Sequence, residues 1–206
     1  MKWSYRLILL LSLSTLHCTT MAVQYEKKPW PQASACQDCS KLQVGFIQFA
    51  LPTKKIRTIN VLHLDGANAH ISFQPNYAGT ANQLSFAALS KQYAKDSSII
   101  QKARTININT PLNLFKKFSG ETTNKTLLKL KQAHAITEAK RYISYHGTQK
   151  SAFWIDAIEQ NMDALYIIPK GNDQFVYVIN GELDEKIVHQ LLTHTSLPNK
   201  QHLNRN

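Results

Sequence analysis

Cys36 and Cys39 form the motif with the clearest intrinsic chemistry, because only two residues separate their thiols. Such a pair closes a small disulfide, or acts as a redox couple in which one thiolate attacks and the other resolves the mixed disulfide. The residue after Cys39 is Ser40, so the CxxCH signature of covalent haem attachment is absent. A thioredoxin-like pair would open a helix, whereas this pair precedes a strand-like segment. We predict a structural disulfide, with a redox pair as the alternative.

A metal site is not predicted from the same cysteines. The sequence has no second CxxC pair, so histidines from elsewhere would have to complete a zinc site. The candidates near one predicted sheet end are His63, Asp65 and His70. At the end of the last predicted helix, His189 and His194 lie five residues apart, whereas paired metal ligands on a helix lie four apart. We therefore expect neither a metal nor another cofactor.

Positive charge is concentrated in the first part of the chain. Residues 23–150 contain 18 Lys and Arg against 6 Asp and Glu, whereas residues 151–206 contain 4 against 7. This asymmetry favours a positive surface that binds an anionic partner. We predict that the surface is formed by six basic side chains: Lys54, Lys55, Arg57, Lys116, Lys117 and Lys129.

The sequence leaves the chemistry of that partner open. Phospholipid head groups, anionic glycans and acidic protein surfaces all suit a basic face. Nucleic acid is disfavoured, because aromatic residues interleave only sparsely with the basic segments, as Phe115 and Phe118 do. The G-x-S-x-G, H-E-x-x-H and glycine-rich phosphate-loop motifs are absent, which disfavours hydrolases and nucleotide enzymes.

The pattern of apolar residues predicts an α+β protein. Alternation favours strands at 42–46, 56–64 and 70–73, and again at 152–158, 164–168 and 175–179. Apolar stripes at the helical period favour two short helices within 84–104, a long helix over 122–145 and a last helix over 182–193. We expect the two β-meanders to form one antiparallel sheet, which the helices cover on one side.

The N-terminal residues predict an exported protein. Lys2 and Arg6 precede an apolar run of about ten residues, and small residues follow, so residues 1–22 are predicted to be a cleaved signal peptide. A run of that length is too short to span a bilayer, which needs about 20 residues. A lipoprotein signal would instead lipidate Cys18, but the bulky His17 before it disfavours that reading.

The predicted organisation follows from these boundaries. After the signal peptide we expect an irregular arm with the CxxC motif at 23–40, a single α+β domain at 41–198 and a polar tail at 199–206. The predicted function is that of a basic, non-catalytic binding or envelope-assembly protein, periplasmic or secreted, with a protein or another anionic envelope component as partner. The alternative is a thiol–disulfide redox protein. We expect membrane anchoring only if Cys18 is lipidated.

Overall fold

The computed structural model describes residues 22–62, 68–75, 82–158, 162–171 and 175–197. Residues 1–21 of the predicted signal peptide, with Cys18, lie outside this part of the chain. The predicted tail at 199–206 and two of the three candidate metal ligands, His63 and Asp65, lie outside it as well.

The described residues form strands and helices in an order that confirms the α+β class. The strands are β1 (Gln24–Pro29), β2 (Cys39–Val44), β3 (Ile47–Pro52), β4 (Ile56–Leu62), β5 (Asn68–Phe73), β6 (Gln83–Ala88), β7 (Ala139–His146), β8 (Lys150–Ala157), β9 (Asp163–Pro169), β10 (Tyr177–Gly181) and β11 (Thr195–Ser196). The α-helices are α1 (Ser98–Arg104), α2 (Pro111–Phe118), α3 (Lys125–Ala133) and α4 (Glu185–Thr193), and short 3-10 helices occupy Thr53–Lys55 and Ile136–Glu138.

Eight of the described strands form one large sheet in the order β1-β7-β8-β9-β10-β6-β5-β4. The meanders β4–β6 and β7–β10 are each antiparallel, and β6 joins them by antiparallel pairing with β10. Two features differ from the predicted antiparallel sheet. Strand β1 is parallel to β7, so the sheet is mixed. Strands β2, β3 and β11 form a separate antiparallel sheet.

Both faces of the large sheet are covered, so the prediction of helices on one side is wrong. On one face, buried side chains of α1–α3 cluster with Tyr142, Phe153 and Ile168. On the opposite face, side chains of α4 and of the three-stranded sheet cluster with Ile143 and Trp154. The central strands are therefore apolar on both sides, which removes the alternation that a half-exposed strand would show.

The long helix predicted over 122–145 is wrong in its second half. Helix α3 ends at Ala133, Ala135 has a left-handed backbone with φ of 55°, and β7 begins at Ala139. The four consecutive residues from Tyr142 to Tyr145 are buried, because β7 lies between two neighbouring strands and two covered faces. A short apolar run of this kind does not distinguish a buried strand from a helix.

Two other segments differ from their predicted structure. Residues 83–88, which were expected to start a helix, form β6, while α1 covers the second half of the predicted region. The arm at 23–40 is not irregular throughout, since it contains β1. Helix α2 was not predicted, although Thr110 and Pro111 begin it as N-cap and first helical residue.

Each of the four described α-helices begins at a side-chain cap. The oxygens of Ser97, Thr110, Asn124 and Asp184 each accept a hydrogen bond from a backbone N–H in the first turn. In the described ranges, none of the helices has the length and apolar character needed to cross a membrane.

Candidate anion-binding site

A basic pocket lies at one end of the large sheet, where β1 ends beside the β7–β8 hairpin. The Trp30 backbone N–H donates to the His146 carbonyl over 3.0 Å, which continues the parallel pairing beyond β1. The Gly147 N–H donates to the Lys150 carbonyl, also over 3.0 Å, and closes the hairpin. A Cβ atom at position 147 would lie only 3.2 Å from Cβ of Trp30, so glycine permits this close approach.

The end of β9 completes the pocket. The Lys170 backbone N–H donates to the Gln149 carbonyl over 2.8 Å, and its ammonium donates to the Gly147 carbonyl. The cavity has a volume of about 550 Å³ and is lined by Pro29, Trp30, His146, Gly147, Thr148, Gln149, Lys150 and Lys170. These residues include no carboxylate. We use the name basic pocket for the site formed by Trp30, His146, Lys150 and Lys170.

Lys150 is the most unusual residue of the basic pocket. Its ammonium donates to the Thr195 carbonyl and lies 4.7 Å from the centre of the Trp30 ring. Burial lowers the pKa of Lys150 from 10.5 to about 8, because desolvation disfavours the charged form. No carboxylate in the described part of the chain forms an ion pair with it. The amine therefore stays mostly protonated at neutral pH without an anionic partner.

Trp30 is held so that its ring forms a wall of the pocket. The indole N–H donates to the Leu192 carbonyl over 3.2 Å, near the end of α4. The ring packs against the apolar cluster that α4 shares with the large sheet. A cation close to an indole face is attracted by the ring quadrupole, so Trp30 stabilises the ammonium of Lys150 where a carboxylate is missing.

The pKa of His146 reflects the positive potential of the site. Burial lowers its pKa, and the charges of Lys116, Lys27 and Lys170 lower it further. Its Nε2 atom lies 3.1 Å from the Ser144 hydroxyl. A bound anion would reverse the charge effect and favour the imidazolium form, which would then donate a further hydrogen bond.

The carboxylates on the neighbouring strands do not neutralise the basic pocket. Glu26 and Glu185 pair with Lys28, and Asp156 pairs with Arg141 over 2.6 Å. These acidic groups are therefore already matched by cations of their own. The arrangement leaves the lysines of the basic pocket able to bind oxygen atoms of a carboxylate, sulfate or phosphate, while Trp30 and Pro29 offer apolar surface.

The six predicted basic residues lie in two groups, at different parts of the large sheet. Arg57 lies on β4, at one edge of the sheet, and the two lysines of the preceding 3-10 helix lie beside it. Helices α2 and α3, which carry the other three, pack against β7–β9. Between β9 and β4 lie four strand spacings, or about 20 Å at about 4.8 Å each. Of the six, Lys116 is near enough to lower the pKa of His146.

Cys36 and Cys39 border a different cavity. Their sulfur atoms lie at bonding distance and their Cα atoms are 5.7 Å apart, as in disulfides generally. Both residues are partly buried, and the cavity of about 390 Å³ beside them also contacts Lys41 and His194. Cys39 begins β2 rather than an α-helix, so the pair does not have the position at the start of an α-helix that stabilises a thiolate in thioredoxin-like motifs.

Metal-ligating side chains do not converge in the described part of the chain. Within it, no three His, Cys, Asp or Glu residues lie close enough together to hold a metal ion. His70 is exposed on β5, while His63 and Asp65 fall outside the described residues.

None of the four residues of the basic pocket was predicted from the sequence. Lys170 lies in the last part of the chain, where acidic residues outnumber basic ones, so the net charge of that segment does not indicate a basic site. Lys150 and Trp30 are distant in sequence, and only the pairing of β1 with β7 brings them together. The available signal was the segment Lys27–Lys28–Pro29–Trp30–Pro31, in which an aromatic residue adjoins two cations.

Comparison with protein-family models and with curated proteins gave no match to this chain.

Proposed function

We propose that the protein is an exported, non-catalytic binding protein that takes an anionic partner in the basic pocket. The observation that carries the proposal is the ammonium of Lys150, which is partly buried and pairs with no described carboxylate. Removing an ammonium from water costs free energy unless an anion or hydrogen bonds compensate. A ligand anion supplies that compensation when it binds.

The hydrogen bonds of Lys150 leave capacity for such a ligand. An ammonium has three donors, and the Thr195 carbonyl takes one of them. Lys170 is exposed and likewise spends one donor on the Gly147 carbonyl. Both lysines line the same cavity and keep spare donors, so an anionic ligand in the cavity finds ammonium donors on two of its walls. A purely structural role for Lys150, in which it joins β8 to β11, explains its hydrogen bond to the Thr195 carbonyl. It does not explain why Lys170 lines the same cavity.

The size and lining of the cavity favour an anionic group joined to an apolar one. A volume of about 550 Å³ is within the range of small-ligand sites, and Trp30 with Pro29 forms the apolar wall. Such a group could belong to a small molecule, to a glycan or to a side chain of a partner protein. We propose that the carboxylate, sulfate or phosphate oxygens bind Lys150 and Lys170 while the apolar portion contacts Trp30.

The test uses sulfate and benzenesulfonate, whose charge does not change between pH 6 and 10. Binding is measured by calorimetry on the full chain at low and high salt. We expect benzenesulfonate to bind more tightly than sulfate, and both to weaken as salt screens the pocket. The Lys150→Met/Lys170→Met variant should lose at least tenfold in affinity, because charged hydrogen bonds contribute about 1.5–3 kcal/mol each.

The matched control is Lys54→Met/Lys129→Met, which removes the same charge at exposed positions outside the pocket. It should bind both anions like the wild type. Equal losses in the two double variants would show that net charge alone attracts the anion, and the basic pocket would not be the site.

A thiol–disulfide function is a second proposal, supported by the bonding distance between Cys36 and Cys39 and by their border with an open cavity. A redox titration of the purified protein separates the two roles. Structural disulfides fall below about −300 mV, whereas catalytic pairs lie higher. Insulin reduction that disappears in Cys36→Ser, together with a potential above that value, would favour the enzyme.

The exported location is proposed from residues 1–22. Mass spectrometry of the protein recovered from its native cells tests it. A mature chain that begins at Val23 supports export, a lipid on Cys18 supports anchoring, and an intact N-terminus contradicts both.

A further inference from the structure

Strand β4 forms one edge of the large sheet and pairs with β5 alone among the described strands. An edge strand presents unpaired backbone N–H and C=O groups along its free side. The five residues from Arg57 to Val61 are all exposed, and the strand contains no proline. With respect to the described residues, the free edge of β4 is therefore accessible to another extended segment.

The side chains of β4 add apolar surface to this edge. Ile59 and Val61 are 43% and 51% exposed. The strand register places them opposite Ile71 and Ala69, which are 1% and 2% exposed and belong to the core. Directly opposed residues in an antiparallel pair point to the same face, so Ile59 and Val61 extend the core surface beyond the part that is covered.

The other edge of the same sheet provides an internal comparison. Strand β1 carries Glu26, Lys27 and Lys28 and ends at Pro29. Charged residues and proline protect edge strands from unwanted pairing. Within β4 the single charged residue is Arg57, which lies at the β-bulge between Ile56 and Thr58. The protein thus protects one edge of its sheet and leaves the other open.

We propose that β4 binds an extended acidic segment of a partner protein as a ninth strand of the large sheet. The backbone of the segment would pair with the free N–H and C=O groups of β4, and its alternate apolar side chains would cover Ile59 and Val61. This surface is separate from the basic pocket and does not depend on the function proposed for it.

The positive charges near β4 favour an acidic binding partner over a second copy of this chain. Lys55 and Arg57 pair with no carboxylate in the described part of the chain, and both are exposed at the beginning of the strand. Lys54 adds a third cation, which Asp38 contacts at 3.2 Å. A second copy of this chain, with its net charge of +11, would bring like charges together. An acidic segment instead places its carboxylates beside Lys55 and Arg57.

The test uses three synthetic ten-residue peptides, each carrying a fluorescent label. The first alternates Val with Glu, the second alternates Val with Lys, and the third is the Val–Glu peptide with alternate backbone nitrogens methylated. Fluorescence anisotropy with the full chain measures the affinity. We expect the Val–Glu peptide to bind at least tenfold more tightly than the other two, because methylation removes the donors that strand addition needs.

The protein variants locate the site. Ile59→Lys/Val61→Lys should abolish binding of the Val–Glu peptide, whereas Leu128→Lys, at a 39% exposed apolar position on α3, should leave it unchanged. Arg57→Glu with Lys55→Glu should reverse the preference in favour of the Val–Lys peptide. Circular dichroism is the control that shows whether each variant is folded.

Three results would overturn the proposal. The methylated peptide could bind as well as its parent, which would exclude pairing through the backbone. The Leu128→Lys variant could lose as much affinity as the β4 variant. Finally, the wild type could fail to bind any of the peptides at millimolar concentration. If the wild type then sedimented as a dimer, and Ile59→Lys/Val61→Lys as a monomer, the occupant of β4 would be a second copy of this chain.

Discussion

The ammonium of Lys150 lies 4.7 Å from the centre of the Trp30 ring, although the two residues belong to distant parts of the chain. Parallel pairing of β1 with β7 places Trp30 beside His146, and the following hairpin returns Lys150 to the same end of the sheet. The basic pocket therefore depends on β1, a strand that lies in the segment expected to be irregular. Loss of β1 would remove the aromatic wall while leaving the two lysines on the remaining strands.

Lys150 should make the stability of the protein depend on pH in the alkaline range. The folded-state pKa is about 8, whereas a lysine in an unfolded chain has a pKa of about 10.4. Between these values the unfolded chain binds more protons than the folded chain, so the free energy of unfolding rises with pH. Urea denaturation at pH 7, 8 and 9 should show wild type gaining stability relative to Lys150→Met. A constant difference would contradict the lowered pKa.

Anion binding should respond to pH in the opposite direction. As the pH rises through about 8, Lys150 loses its proton and its charge, so affinity for sulfate should fall. Sulfate itself does not titrate in this range, which isolates the contribution of the protein. Calorimetry at pH 7 and 9.5 measures the loss, and Lys150→Met should show a smaller one. An affinity that is equal at both values would place the anion elsewhere.

His134 should destabilise the fold in mild acid. Burial lowers its pKa below 6.5, and its imidazole lies between the Leu130 carbonyl at 2.7 Å from Nδ1 and the Tyr93 hydroxyl at 2.8 Å from Nε2. The unfolded chain takes up a proton near pH 6.5 before the folded chain does, so the free energy of unfolding decreases as the pH falls below that value.

Thermal denaturation between pH 7 and 5 measures this effect. His134→Phe should reduce the dependence on pH. It should also cost stability at pH 7, because the Tyr93 hydroxyl and the Leu130 carbonyl each lose a hydrogen bond, at about 0.5–1.5 kcal/mol for each. His70→Gln, on an exposed position of β5, is the control and should retain the wild-type dependence. The opposite pattern would show that another group titrates.

Asp163 should contribute to stability through two backbone hydrogen bonds. Its carboxylate oxygens accept from the N–H groups of Ala157 and Leu183 over 2.8 and 2.7 Å, and so link the β8–β9 turn to the segment before α4. Asp163→Ala leaves both donors without this partner, at about 1–3 kcal/mol for each if water does not replace it. Asp163→Asn keeps one acceptor and should lose about half as much. Chemical denaturation, with the exposed Asp96→Ala as control, measures the difference.

Local sequence signals were sufficient for the elements that have one exposed face. The last helix was predicted over 182–193, and α4 runs from Glu185 to Thr193 with Asp184 as its cap. Leu183, Ile187 and Leu191 recur every four residues and are buried on one side, so the helical period is visible in the sequence. Strand β5 was predicted for the equivalent reason, since it alternates between buried and accessible positions.

The tertiary structure decided the elements that are buried on both sides. In β7, Tyr142 faces the α1–α3 cluster and Ile143 faces the α4 cluster, so consecutive residues are apolar and the period of two disappears. The same apolar run suits a helix, and only pairing with β1 and β8 favours the strand. Strand pairing of this kind joins distant residues, which a local pattern does not encode.

The sequence by itself determined the α+β class, the CxxC pair and the excess of positive charge. It did not determine where that charge is concentrated, because the order of strands in the sheet separates Arg57 from Lys116 and brings Lys150 and Lys170 to one cavity. Burial also changes the chemistry of a residue: Lys150 resembles any other lysine in the sequence, and its burial in the folded protein lowers its pKa to about 8. Desolvation depends on neighbours in space, and those neighbours come from strands that are far apart along the chain.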